Sequence, residues 1–289
     1  MSIGENLELH QRGNESDLNF KIRIPFDISV TKGERLFVLG SNQSGKSSFF
    51  QSVLGNLVCE RGVLGVGGRL GYVPQLAFVR RDTLRNNITF GEVEDSAKLN
   101  RAEDFVDMAS ELNDLQKYDS AELPDISVVA SPDFRHKISF ARALYYDADV
   151  FLIDDVFADM NINSVRKLLS NFERLEPGRT LLISTELTSV IRPNDRVLIF
   201  DRGIAVEYGI FSTMLEQPNS FVHYFVQSER AALGMRQVTP TKSNSFHTHN
   251  RLIKERKIAV ANRFPIKTNV SSSSFYRYTH ENNMPSHGS

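Results

Sequence analysis

The sequence predicts an α/β fold with a parallel sheet buried on both faces, and three segments predict it. Arg35-Leu36-Phe37-Val38-Leu39 is a short apolar run, as a buried parallel strand would be. It leads into Gly40-Ser41-Asn42-Gln43-Ser44-Gly45-Lys46-Ser47, after which residues 48–54 read as a helix. Far downstream, Val150-Phe151-Leu152-Ile153 forms a second apolar block and ends on Asp154-Asp155. In open α/β sheets ligands bind beyond the carboxyl ends of the strands. A glycine-rich loop and a carboxylate leaving two such strands are thus expected to meet at one edge.

The loop has the spacing Gly-x4-Gly-Lys-Ser, which suits a polyphosphate. Gly40 and Gly45 allow tight turning, so that the N–H groups of Ser41, Asn42, Gln43 and Ser44 can point inward at an anion. Lys46 supplies a compact positive charge for the terminal phosphates, and Ser47 a hydroxyl for Mg²⁺. The helix that follows turns its positive dipole end, with Ser47 and Ser48, toward the same anion. Asp154 is the expected second Mg²⁺ ligand.

Composition bounds the rest. The 289 residues allow one sizeable α/β domain plus an appendage. Cys59 is the only cysteine, so no disulfide within the chain is possible and a reducing compartment is expected. No apolar stretch approaches the roughly 20 residues of a membrane span, and no secretory pattern opens the chain. The net charge of −1 hides an asymmetry: residues 229–289 hold 10 basic and 3 acidic residues, leaving 24 and 32 for residues 1–228. The expected division is a folded body over 1–228 and a basic, polar, largely disordered tail over 229–289, with Ser271-Ser272-Ser273-Ser274 its low-complexity patch.

The segments between the two strand motifs carry a family resemblance. Gly71-Tyr72-Val73-Pro74-Gln75 and Thr83-Leu84-Arg85-Asn86-Asn87-Ile88-Thr89-Phe90-Gly91 resemble the Q-loop region of ABC-transporter nucleotide-binding domains. The likeness is to the C subfamily, which holds the multidrug-resistance-associated proteins and the cystic fibrosis channel, and to the first, degenerate domain of such proteins. Ser139-Phe140-Ala141-Arg142-Ala143-Leu144 matches the helix before the second acidic motif. Residues 180–184 and 195–203 resemble the last core strands. The resemblance implies a RecA-like P-loop NTPase core, an antiparallel β-subdomain near the N-terminus, and an α-helical insertion over about residues 78–142. Leu99, Ala102, Phe105, Val106, Ala109, Leu112 and Leu115 fall largely at helical spacing and independently support the insertion.

The same resemblance implies ATP and Mg²⁺ as ligands, with Gln75 touching Mg²⁺ or the attacking water. It implies a membrane domain and a second nucleotide-binding domain as partners, no nucleic acid, and a place on the cytoplasmic side of a membrane. Several family positions are altered. The signature loop Leu-Ser-Gly-Gly-Gln aligns with Ala130-Ser131-Pro132-Asp133-Phe134. Pro132 has no N–H to donate, and Asp133 would bring negative charge toward a polyphosphate. Asp155 stands where the family has its catalytic glutamate, one methylene shorter. Thr185 stands for the switch histidine and Asn161 for the D-loop aspartate. Gln43 replaces a loop glycine. The adenine-stacking candidates, His10 and Phe20, have spacings that suit core or surface roles better.

The expected function is an MgATP-binding domain with weak or no hydrolysis. The alternative is a free-standing cytosolic regulatory or interaction module that keeps the fold without transport. The tail, with its Ser and Thr residues among basic ones, reads as a linker or as a segment responsive to phosphorylation.

Overall fold

The computed structural model describes residues 1–10, 21–115, 126–175 and 178–232. Phe20 and residues 233–289, with the Ser271-Ser272-Ser273-Ser274 patch, lie outside the described residues.

Strands β1 (Ser2–Ile3), β2 (Leu7–His10), β3 (Lys21–Ile24) and β4 (Ile28–Ser29) precede the motif strand β5 (Arg35–Leu39). Then come β6 (Val58–Arg61), β7 (Leu64–Gly65), β8 (Leu70–Val73), β9 (Val150–Asp154), β10 (Thr180–Ser184), β11 (Arg196–Asp201) and β12 (Ile204–Ile210). Among the described residues the main sheet runs β6-β2-β3-β12-β11-β5-β10-β9-β8. The five strands β8, β9, β10, β5 and β11 are mutually parallel. The β2 strand pairs antiparallel with both β3 and β6, and β4-β1-β7 forms a small antiparallel sheet beside them. The expected N-terminal β-subdomain is therefore present.

Alternation along the parallel strands divides the core. Phe37, Phe151, Ile153, Leu181, Ile183, Val197 and Ile199 face one hydrophobic cluster. Leu36, Val38, Val150, Leu152, Leu182, Leu198 and Phe200 face the other. Both faces are covered, which explains why these strands read as unbroken apolar runs. The second face packs on Phe49, Phe50 and Val53 of α1 (Lys46–Val53) and on Ile3, Leu7, Leu9, Ile22 and Ile24 from the β-subdomain.

Helices α2 (Leu84–Thr89), α3 (Ser96–Phe105), α4 (Ala109–Leu115), α5 (Ile126–Val129) and α6 (Pro132–Tyr145) lie between β8 and β9. Helix α7 (Ile162–Glu173) follows β9, and α8 (Phe211–Leu215) and α9 (Phe221–Ala232) follow β12. Phe172 of α7 ties these layers together: its ring centroid lies 4.8 Å from Phe151 on β9, 4.9 Å from Phe105 on α3 and 6.4 Å from Phe140 on α6. The apolar periodicity over residues 99–115 resolves into two helices rather than one. Asp107 adopts φ 59° between them, a left-handed conformation that Asp tolerates better than most residues. Met108 is fully buried at this corner, whereas Ala109 is exposed.

Helix α9 runs past the 228/229 boundary read from charge. The Glu229 carboxylate accepts hydrogen bonds from the Thr188 backbone N–H at 3.0 Å and from the Thr188 hydroxyl. The start of the basic segment is thereby packed on the core. No helix among the described residues is long and apolar enough to cross a membrane.

Candidate functional site

Register brings the two sequence motifs to one sheet edge. Parallel pairing sets Ser184 opposite both Val38 and Asp154, one residue before the end of β5 and at the end of β9. The chain leaves β5 at Leu39, turns through Gly40–Gly45 and enters α1 with Gly45 at its N-cap. Gly40 has φ 154°, and a Cβ there would clash with the Ser44 hydroxyl and lie 2.5 Å from the Phe200 carbonyl. Gly45 has φ 114°, so both motif glycines sit where side chains are disfavoured. Gln43 adopts φ 62°, the conformation a glycine would take there more easily. The loop is pinned by Ser44, whose N–H donates to the Ser41 carbonyl at 3.1 Å and whose carbonyl accepts from Gly203 N–H at 2.7 Å.

Lys46 is buried and its Nζ donates to the carbonyls of Gly40 at 2.7 Å and Ser41 at 3.2 Å. The ammonium is thereby held against the loop's own main chain. Ser41, Asn42 and Gln43 are exposed along the loop, Ser47 is exposed at the helix start, and Ser48 is half-buried.

Asp154 is 2% exposed, and its carboxylate is held from three elements. The Ser47 hydroxyl donates to Oδ1 at 3.1 Å, the Ser184 hydroxyl to Oδ1 at 2.9 Å, and the Tyr72 hydroxyl to Oδ2 at 3.1 Å. Burial first, and then the Asp154 charge, push the Tyr72 phenol well above its ordinary range, so it remains a donor. Hard oxygen donors from Ser47 and Asp154, already in contact, suit Mg²⁺. The donor set fits the ion that the sequence implied. Tyr72 and Ser184 were not singled out as site residues from sequence. The available signal was positional: each lies at or near the end of a strand neighbouring Asp154 in the sheet.

Asp155 begins the loop after β9 with φ 53°, and its N–H donates to the Ser184 carbonyl at 3.1 Å. Gln75 Nε2 donates to its Oδ2 at 3.4 Å, so the two residues expected near the attacking water do come together. Burial raises the Asp155 carboxyl above its ordinary value. Lys46 opposes that rise, while Glu186, Asp154 and Asp159 add to it. Thr185 is buried and its hydroxyl accepts from the Leu187 N–H at 3.0 Å, closing a local turn.

At the start of α6, the Ser131 hydroxyl accepts from Phe134 N–H at 3.2 Å and Pro132 occupies the first helical position. Asp133 is half-buried and contacts the segment before α7. His10 lies on the face of β2 opposite Leu7 and Leu9, with Nε2 3.5 Å from Glu60.

The chain's similarities to known proteins agree with this geometry. Residues 25–158 match the ABC transporter family. That stretch is the chain's match to an ABC transporter domain. The chain is 28% identical over 201 residues to the mouse (Mus musculus) protein "ATP-binding cassette sub-family C member 3", covering 68% of this chain and 13% of that protein. It is 28% identical over 195 residues to the zebrafish (Danio rerio) cystic fibrosis transmembrane conductance regulator, covering 67% of this chain and 13% of the relative. A bacterial Atm1-family ABC exporter solved with ATP bound shares the fold, with a TM-score of 0.65 at 19% identity, over 78% of this chain and 42% of the exporter chain. Since the ABC domain spans so small a part of these relatives, their complete activities do not transfer to it directly.

Proposed function

We infer that this ABC domain binds MgATP and turns it over weakly or not at all, serving as the low-turnover or regulatory half of a transporter's paired nucleotide sites. The observation that carries this reading is the contrast within one sheet edge. Lys46 bonds to the loop and Ser47 bonds to Asp154, an arrangement that would hold a triphosphate and its ion. Ser41, Asn42, Gln43, Ser44 and Ser48 line the same loop and helix start. Lys46 and the main-chain donors would bind the phosphates, and Ser47, Asp154 and Gln75 would face the magnesium ion. The residues that would accelerate cleavage are an Asp155 one methylene short of glutamate and a Thr185 turned into its own backbone. Ground-state grip and transition-state assistance use different contacts, so the first can persist without the second.

A membrane domain and a second nucleotide-binding domain are the proposed partners, which would put the ABC domain on the cytoplasmic side of a membrane. An exposed apolar surface supports the first of these. Leu76, Phe78, Phe90 and Val93 are exposed in the segment after β8. Phe78 meets Phe90 edge-on, and the Arg142 guanidinium lies 4.3 Å from the Phe90 ring. A cavity of about 290 Å³ opens beneath, lined by Tyr72, Phe90, Ser139, Arg142 and Tyr146 among others. Such a patch beside Gln75 suits a helix from a membrane domain, which would feel changes at the nucleotide site.

Isothermal calorimetry with ATP, in the presence and absence of Mg²⁺, tests the reading on the purified chain. The expected result is Mg²⁺-enhanced binding with turnover at the assay floor. Absence of any nucleotide binding would reduce the chain to an inherited shape. Brisk turnover abolished by Asp155→Asn would make it an active ATPase.

A further inference from the structure

We propose that Asp133 is a positioning residue, holding the loop that begins at Asp155 against the start of α6. The contacts come from both carboxylate oxygens. Oδ1 accepts from the Asn161 backbone N–H at 2.9 Å, and Oδ2 accepts from the Ser164 hydroxyl at 3.3 Å. Asn161 is the N-cap of α7, its own side chain accepting from Asn163 N–H at 2.9 Å, so Asp133 grips the point where the loop becomes helix.

The grip is anchored from behind. Lys137, one turn along α6 and buried, sets its Nζ 3.6 Å from Asp133 Oδ2, 2.5 Å from Glu111 Oε1 and 2.9 Å from the Asp107 carbonyl. A chain of charge and hydrogen bonds therefore runs from α4 through α6 to the segment before α7. A second contact lies midway along the loop, where His136 Nε2 approaches Asp159 Oδ2 at 3.8 Å. Residues 155–161 are consequently held at both ends, by the Asp155 N–H bond to Ser184 at one and by Asp133 at the other.

The helix start that bears Asp133 is spent on its own chain. Ser131 takes the Phe134 amide, Pro132 has no N–H, and the Asp133 carboxylate faces Asn161 and Ser164. An acid at this place acts as an internal strut rather than only as a repulsive charge toward a phosphate. The inference needs no bound nucleotide, so it stands or falls separately from the proposed function.

Amide hydrogen exchange of the purified chain tests it. Asp133→Ala should speed exchange at Asn161 and its loop neighbours about tenfold, the scale of a lost hydrogen bond. Amides of β10 should keep their wild-type rates. Asp133→Asn retains an acceptor oxygen of the same reach and should restore most of the protection, which a purely electrostatic role would not. Ser164→Ala removes one contact only and should give a smaller rise at the same amides, even if Asp133→Ala folds poorly. Wild-type exchange at Asn161 in the Ala variants, or equal effects of Asp133→Ala and Asp133→Asn, would overturn the proposal.

Discussion

The loop between β5 and α1 and the loop between β9 and α7 leave one sheet edge on either side of β10, yet they are built differently. The first is shaped by backbone: Gly40 and Gly45 take left-handed conformations, and the Ser44 main chain pins the turn to Gly203. The second is held by side chains that belong to this sequence, with Asp155 facing Gln75 and Asp133 tied to Asn161. A backbone-built site retains its anion grip under substitution of most neighbours. A side-chain-built site changes its chemistry with one methylene. On the proposed function, this contrast would let binding and cleavage part company.

The largest expected effect breaks the comparison at the grip. Lys46→Ala removes the ammonium that bonds Gly40 and Ser41 and would meet the terminal phosphates. ATP affinity should fall about 100-fold, since loss of a charged partner costs roughly 1.5–3 kcal/mol. Asp155→Asn should leave affinity within about twofold, because a carboxylate-to-amide change outside the phosphate grip alters little ground-state binding. Equal losses in calorimetric titrations of the two variants would erase the distinction between the loops.

Tyr72→Phe sharpens the same line at the ion. It deletes the only hydrogen bond described to Asp154 Oδ2, while Ser47 and Ser184 still hold Oδ1. Residues that orient a metal ligand are typically worth 10–100-fold in metal affinity. The Mg²⁺-dependent part of ATP binding should weaken about tenfold, with metal-free ATP binding unchanged. A parallel loss with and without Mg²⁺ would mean that Tyr72 supports the loop rather than the carboxylate.

Asp155 offers a smaller effect with a defined pH dependence. Its folded pKa is raised above the ordinary 3.8, chiefly by burial. The folded state thus binds the proton more tightly than the unfolded state. Stability contributed by the protonated form is present at low pH and lost as pH rises through the raised value. At pH 7 the charged carboxylate is a liability, so Asp155→Asn should raise the melting temperature. That gain should shrink as pH falls through the raised folded value and be largely gone at about 4, the unfolded value. A variant less stable than wild type at pH 7 would show that the Gln75 contact outweighs the burial cost.

Much of this site was legible in the sequence because its parts are local. The Gly-x4-Gly-Lys-Ser spacing dictates its own turn, and an apolar run ending in Asp154 dictates a buried strand with a carboxylate at its tip. Residues 99–115 show why boundaries are harder: the apolar repeat continues across Asp107, but the chain does not. Tyr72 and Ser184 reach Asp154 only because strand pairing brings together residues 82 and 30 positions apart. Asp133 has the same difficulty. An acid at a helix start reads as a charge, and only the placement of α7 makes it a partner for the Asn161 amide.

The finest test returns to the backbone-built loop and asks whether its shape or its residues matter. Gln43 holds φ 62° with its side chain exposed, and glycine enters that region without steric cost. Gln43→Gly relieves strain in the folded loop but gives the unfolded chain more freedom, and these opposing terms are each about 1 kcal/mol. The net change in denaturant midpoint should therefore be small, and ATP affinity should stay within about threefold of wild type because the main-chain donors keep their places. A tenfold fall in affinity would assign the Gln43 side chain a direct part in holding the nucleotide. That outcome would make the first loop as dependent on individual side chains as the second.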